Sequence, residues 1–116
     1  MAKYRVLFHL DEASKGRADL ALHNIENLIT DLGQENVEVE LVANSEGITA
    51  FLKVPDLLRA IVERLAAKGV RFTVCENSLR QFHLAKDALL EQVEIVPSGV
   101  GELARKEAEG WAYIRP

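Results

Sequence analysis

The chain has 116 residues, of which 48% are hydrophobic and 28% charged, and its formal net charge is −4. That length predicts a single domain over residues 1–116 with one hydrophobic core. The fourteen basic residues are outnumbered by eighteen acidic ones and are scattered singly. This distribution argues against a nucleic-acid partner, which requires a concentrated basic surface. No apolar run approaches the roughly 20 residues that cross a bilayer, so no membrane partner is expected.

The chain contains one cysteine, Cys75, so an intrachain disulfide is excluded. The start, MAKYRVLFHLDE, lacks the longer apolar core and the small-residue cleavage site of a signal peptide. We therefore expect a cytoplasmic protein.

β-branched and aromatic composition predicts five strands along the chain. The predicted strands are YRVLFHL (4–10), VEVELVA (37–43), VRFTV (70–74), VEIV (93–96) and WAYI (111–114). The second strand alternates acids with apolar residues, which favours a position towards a sheet edge.

Helices are predicted between these strands. Amphipathic spacing predicts a helix from Ala18 that is closed by Gly33, and another that opens near Asp56 and ends at Gly69. A short helix is expected between the second strand and Pro55, one or two more within 76–92, and a last one before the final strand. The β-α alternation predicts a mainly parallel, five-stranded α/β sheet with helices on both faces.

Ligands of such sheets lie beyond the carboxyl ends of the strands. The predicted strand ends bring His9, Asn44, Cys75 and the segment Ser98–Gly99 to one rim. Backbone N–H groups ahead of the last helix, at Ser98–Gly99, can cradle a small anion. No spacing of histidines and acids suggests a metal site, and no dinucleotide or P-loop motif occurs, so neither a metal nor a cofactor is expected.

Cys75 has two interpretations. A helix that begins just after it would favour its thiolate, and Asn77 and Ser78 could donate hydrogen bonds there. Glu76 acts in the opposite direction, since an adjacent negative charge disfavours a thiolate. Free cysteine is also a common small core residue. His9 could serve as a base or donor beside Cys75, or pack as an ordinary histidine.

The sequence resembles the DsrE/DsrF-like family over nearly its whole length. The resemblance is carried by YRVLFHLDE, VEVELVANSEGI, GVRFTVCENSLR and VPSGVGELARKEAEGWAYIRP. It implies a flavodoxin-like fold, assembly into homotrimers or homohexamers, and a relation to sulfur-relay proteins. In those proteins a cysteine after the third strand carries sulfur as a persulfide, and Cys75 matches that position. The implied partners are thiol-bearing proteins that donate or accept the sulfur.

Two functional hypotheses follow, and whether the protein is an enzyme stays open. In the first, Cys75 carries sulfur, and His9, Asn44, Asn77 and Ser78 line the pocket. In the second, a rim pocket binds a small anion or metabolite in a non-catalytic or regulatory oligomer, and the residues that form it are His9, Asn44, Cys75 and Ser98. A purely structural oligomer component remains if both are wrong. Phe51 and Trp111 could either serve an oligomer interface or complete the core, the latter favoured more for Trp111.

Overall fold

Strands and helices alternate along the chain in the computed structural model, which describes residues 2–116. The strands are β1 (Tyr4–Leu10), β2 (Val37–Ala43), β3 (Arg71–Cys75), β4 (Val93–Val96) and β5 (Ala112–Ile114). The α-helices are α1 (Lys15–Leu32), α2 (Arg59–Ala67), α3 (Glu76–Gln81) and α4 (Gly99–Ala108). Short 3-10 helices cover Gln34–Asn36, Ser45–Phe51 and Lys86–Ala88.

The five strands form one parallel sheet in the order β4-β3-β2-β1-β5. The first four strands lie side by side in chain order. The chain then crosses back over the sheet and places β5 on the free side of β1. This arrangement confirms the predicted flavodoxin-like α/β fold with a five-stranded sheet.

The two faces of the sheet are covered by different helices. The larger core lies under α1, α2 and α3, and it includes Phe8 and Phe72 of the sheet and Leu79 of α3. The opposite face is covered by α4. Its smaller apolar cluster consists of Leu7, Val42, Leu103 and Trp111. Helices on both faces are what the alternation of elements predicted.

Two helices begin away from their predicted starts. The helix α1 begins at Lys15, three residues early, because the Ser14 hydroxyl accepts the Arg17 N–H at 3.2 Å and caps it. The helix α2 begins at Arg59 rather than near Asp56, because the residues between them form a turn. That turn is closed by the Arg59 N–H and the Asp56 carbonyl, 3.4 Å apart.

The edge position predicted for β2 is wrong, since β2 lies between β1 and β3. Its acids do not all face solvent. Glu38 is exposed, but Glu40 is only 1% exposed and lies under α4. The Glu40 carboxylate accepts the Thr73 hydroxyl at 3.0 Å and lies 3.3 Å from the Arg71 guanidinium. A buried ion cluster therefore produces the same alternation as a solvent-exposed face.

This cluster ties α4 to the sheet. Arg71 also lies 3.2 Å from Glu102 of α4, and the Lys106 ammonium lies 3.8 Å from Glu40. Burial first, and then the neighbouring Glu102 carboxylate, raise the pKa of Glu40 to about 7, against the opposing effects of Thr73 and Arg71. Burial and the Glu102 carboxylate therefore favour the protonated form of Glu40. The cluster therefore holds the start of α4 against the sheet at Glu102, three residues after Gly99.

Phe51 and Trp111, the two aromatic residues considered for an oligomer interface, both lie in the core. Phe51 is fully buried, and its ring centroid lies 5.6 Å from that of Phe72. Trp111 is buried on the opposite face, with the Lys106 ammonium 4.8 Å from its ring centroid. The C-terminal strand nevertheless leaves Tyr113 40% exposed.

Candidate functional site

The site lies where neighbouring strands send their helices to opposite faces of the sheet. From the end of β3 the chain enters α3 on one face, and from the end of β4 it enters α4 on the other. A parallel sheet has an open crevice at such a point. Cys75, the last residue of β3, and Gly99, the first of α4, meet there.

Close packing holds Gly99 against its neighbours. A Cβ atom on Gly99 would lie 2.9 Å from the Asn44 Cβ and 3.2 Å from the Cys75 Cβ. A larger residue would separate these three positions, so the small size of glycine lets the start of α4 lie directly on Cys75. The thiol is consequently mostly covered, and Cys75 is 5% exposed.

Hydrogen-bond donors from both helices lie near the Cys75 thiol. Burial raises the pKa of Cys75, but the Ser78 hydroxyl and the backbone N–H groups of Gly99, Ser78 and Asn77 lower it, because they favour the charged sulfur. Together these donors outweigh burial, so the pKa of Cys75 lies below its ordinary value. The arrangement favours a thiolate in a site that excludes most water.

The Ser78 hydroxyl is itself oriented by the end of β2. The Ser45 backbone N–H donates to the Ser78 oxygen at 2.7 Å, which leaves the hydroxyl hydrogen free for the sulfur. Ser45 has a φ of 52°, an uncommon left-handed conformation for a residue other than glycine. The turn after β2 therefore holds an unfavourable backbone conformation at a position that directs a donor into the site.

Glu76, expected to oppose the thiolate, is paired with other charges. Its carboxylate lies 3.0 Å from the Lys86 ammonium and 3.5 Å from the Arg80 guanidinium. These cations, Lys86 first, lower the pKa of Glu76. These two cations partly neutralise the negative charge that Glu76 places beside Cys75.

His9 and Asn44 lie on the same rim and contact each other. The His9 Nε2 atom is 2.9 Å from the Asn44 Oδ1 atom, and the His9 Nδ1 atom is 2.6 Å from the Tyr113 hydroxyl. His9 thus bonds to one side chain on β5 and to one just after the end of β2. Among the hydrogen bonds within residues 2–116, none joins His9 to Cys75, so the geometry does not make it a direct base for the thiol.

The remaining predicted site residues contribute through their backbone or support the helix. The Asn77 side chain turns to Arg80, and only its backbone N–H serves the sulfur. The Ser98 hydroxyl accepts the Gly101 N–H at 3.1 Å and caps α4. Ser45 and Tyr113 were not predicted as site residues, although the rim rule places Ser45 at the end of the second strand.

Within residues 2–116, no three histidine, cysteine or acidic side chains come together in an arrangement suited to a metal ion. Within that same range, no helix has both the length and the apolar character needed to cross a membrane.

Fold and site together define a small, all-parallel α/β protein with one thiol held at the carboxyl rim of its sheet. The sequence profile of the DsrE/DsrF-like family matches residues 3–116. The chain belongs to this family, which is related to sulfur-relay proteins.

Solved structures give the same result for the fold. The protein is similar to MTH1491, a protein of unknown function from Methanobacterium thermoautotrophicum, with 44% sequence identity and a TM-score of 0.91. That similarity covers 97% of this chain and 99% of the other. The protein also shares its fold with the ychN protein from E. coli, at 19% identity and a TM-score of 0.81, over 97% of this chain and 99% of the other. No curated protein matches the sequence.

Proposed function

We propose that the protein carries sulfur as a persulfide on Cys75. The observation that supports this role most strongly is the place of Cys75 at the carboxyl rim, where the end of β3 packs against the start of α4 and donors of two helices lie near the sulfur. One hydroxyl, from Ser78, and the N–H groups of Asn77, Ser78 and Gly99 favour the thiolate and lower its pKa against the effect of burial. A thiolate is the nucleophile in every thiol exchange reaction, so this environment prepares Cys75 for that chemistry.

The proposed reaction needs no external oxidant. The Cys75 thiolate attacks the outer sulfur of a donor persulfide, a new sulfur–sulfur bond forms, and the donor leaves as a thiolate. In the second step an acceptor thiolate attacks the outer sulfur now held on Cys75. The Cys75 thiolate is then the leaving group, and its hydrogen-bond donors stabilise it. The chain needs no second cysteine, because the other thiols belong to partner proteins.

Membership of a family related to sulfur-relay proteins supports the same role. The position of Cys75 at the end of β3 is the position that the family resemblance assigns to the sulfur-carrying cysteine. By the same reasoning we propose a homo-oligomer, trimeric or hexameric, with thiol-bearing proteins as sulfur donor and acceptor. His9, Asn44 and Ser98 then form the outer rim of the pocket, around the donors at Cys75.

Replacing Ser78 with alanine is expected to raise the pKa of Cys75, because it removes the side-chain donor to the thiolate. The rate at which iodoacetamide alkylates native protein should follow a titration curve that moves to higher pH. At pH 7 alkylation should slow several-fold. The measurement is the pH dependence of the alkylation rate, read by intact mass.

Ser14→Ala is the matched control for this experiment. Ser14 also accepts a backbone N–H, from Arg17, so the control loses the same kind of bond without changing the donors around Cys75. Its titration curve should match the wild type. Alkylation of Cys75 only after denaturation would contradict the proposed function and favour the second hypothesis, a non-catalytic rim that binds a small ligand.

A further inference from the structure

A diagonal row of polar side chains crosses the α4 face of the sheet. Tyr113 of β5 pairs in register with Leu7 of β1, and His9 lies two residues beyond Leu7 on the same face. His9 pairs in turn with Val42 of β2, and Asn44 lies two residues beyond Val42. The next neighbour in the row is Cys75, because Ala43 pairs with Val74 of β3. The row thus takes one polar side chain from each of β5, β1 and β3, and one from Asn44, the residue that follows β2.

The hydrogen bonds along the row have one consistent direction. The Asn44 Oδ1 atom can only accept, so His9 donates from Nε2 across 2.9 Å. In the tautomer that carries its proton on Nε2, His9 accepts at Nδ1, so the Tyr113 hydroxyl donates across 2.6 Å. Burial raises the pKa of Tyr113, as do Asp11 and Glu107, against the opposing charge of Arg115. Tyr113 therefore retains the proton that it donates.

The far end of the row leaves a donor group free. Because the oxygen of the Asn44 amide faces β1, its N–H2 group points away from His9 and Tyr113. Within residues 2–116 this nitrogen has no hydrogen-bond partner in the protein, and it is not a buried atom left without one. The Cβ atoms of Asn44 and Cys75 both lie within 3.2 Å of the point where a Gly99 Cβ would stand. The two residues are therefore direct neighbours.

We propose that Tyr113 and His9 are positioning residues that hold the Asn44 amide so that it donates a hydrogen bond to the outer sulfur of a persulfide on Cys75. This inference rests on the proposed sulfur-carrying function. Ser78 and Gly99 act on the inner sulfur, the cysteine's own, because they lower the pKa of its thiol. An amide at the rim adds a donor for the second sulfur atom, which is present only when the site is loaded.

The test measures how far Cys75 is loaded at equilibrium. The protein is mixed with glutathione persulfide and glutathione at fixed ratios, and intact mass gives the loaded fraction. Asn44→Ala loses one hydrogen bond to a charged sulfur, so its equilibrium constant for loading should be about tenfold lower than that of the wild type. Tyr113→Phe, which leaves the amide in place without its support, should lower it roughly threefold. The pH dependence of alkylation of unloaded Cys75 should be unchanged in Tyr113→Phe.

Two control variants make the same chemical changes elsewhere. Tyr4→Phe removes a similarly exposed tyrosine hydroxyl from β1, and Asn27→Ala removes an exposed amide from α1. Both should load like the wild type. If Asn44→Ala and Tyr113→Phe both load as the wild type does, this inference is wrong and the proposed function is unaffected. A shifted alkylation profile in Tyr113→Phe would also overturn it, because the row would then act on the thiol itself. A wild type that takes up no sulfur would refute the proposed function instead.

Discussion

Replacing Gly47 with alanine is expected to lower the free energy of unfolding by about 3 kcal/mol or more, since overpacking a rigid site typically costs 1–3 kcal/mol and sometimes more. A Cβ atom there would lie 2.2 Å from the carbonyl oxygen of Leu10, a backbone atom that cannot rotate away. That oxygen also accepts the Asn44 N–H at 3.1 Å. The added methyl group must therefore push apart the ends of β1 and β2 that form the rim.

Thermal denaturation followed by circular dichroism measures this effect, and Gly47→Ala should melt roughly 10–20 °C below the wild type. Gly16→Ala is the control, because its Cβ would lie 3.7 Å from the Ser14 hydroxyl oxygen, an ordinary contact. Gly16 lies in the first turn of α1, where alanine is the better helix former, so that variant should melt at or above the wild-type temperature. A wild-type melting temperature for Gly47→Ala would contradict the close approach of Gly47 to the end of β1.

Glu40→Gln is expected to make the protein more stable than the wild type at pH 8. The pKa of Glu40 is raised from its ordinary 4.5 to about 7 by burial and by Glu102. Between these two pH values the folded protein holds a proton that the unfolded chain has lost, so this residue's contribution to stability falls as the pH rises through that range. A glutamine mimics the protonated acid and removes this loss. The gain at pH 8 should be roughly 2 kcal/mol.

Urea denaturation at pH 5 and pH 8 measures the difference between variant and wild type. Glu38→Gln is the matched control, since Glu38 lies on the same strand but is exposed. The Glu40→Gln advantage should be small at pH 5 and should grow towards pH 8, whereas the control difference should stay near zero. If the Glu40→Gln variant is less stable than the wild type at pH 8, Glu40 is needed as an anion beside Arg71.

The fold followed from the sequence because each strand and helix carries its own local pattern. The strands β1, β2 and β4 begin and end where composition and alternation place them, and β3 is shifted by one residue so that it ends at Cys75. The meeting of Cys75 with Gly99 followed from one topological rule, that parallel strands end on the same rim.

What escaped prediction depends on contacts between distant parts of the chain. Alternating acids in β2 indicated solvent, but Glu40 faces Arg71 and Glu102, which lie 31 residues or more away. The link between Tyr113 and His9 requires the register of β5 against β1, which no local pattern contains. The orientation of the Ser78 hydroxyl similarly depends on the unusual φ of Ser45, in a turn from another strand.

The most direct test of the proposed function is intact-mass spectrometry of the native protein after exposure to a persulfide donor. The wild type should gain one sulfur atom that a thiol reductant removes, and Cys75→Ser should gain none. This result would mean that the donors around Cys75 serve a sulfur carrier. No added sulfur on a wild type that is folded, together with a Cys75 that resists alkylation, would mean that the thiol only packs the junction between β3 and α4.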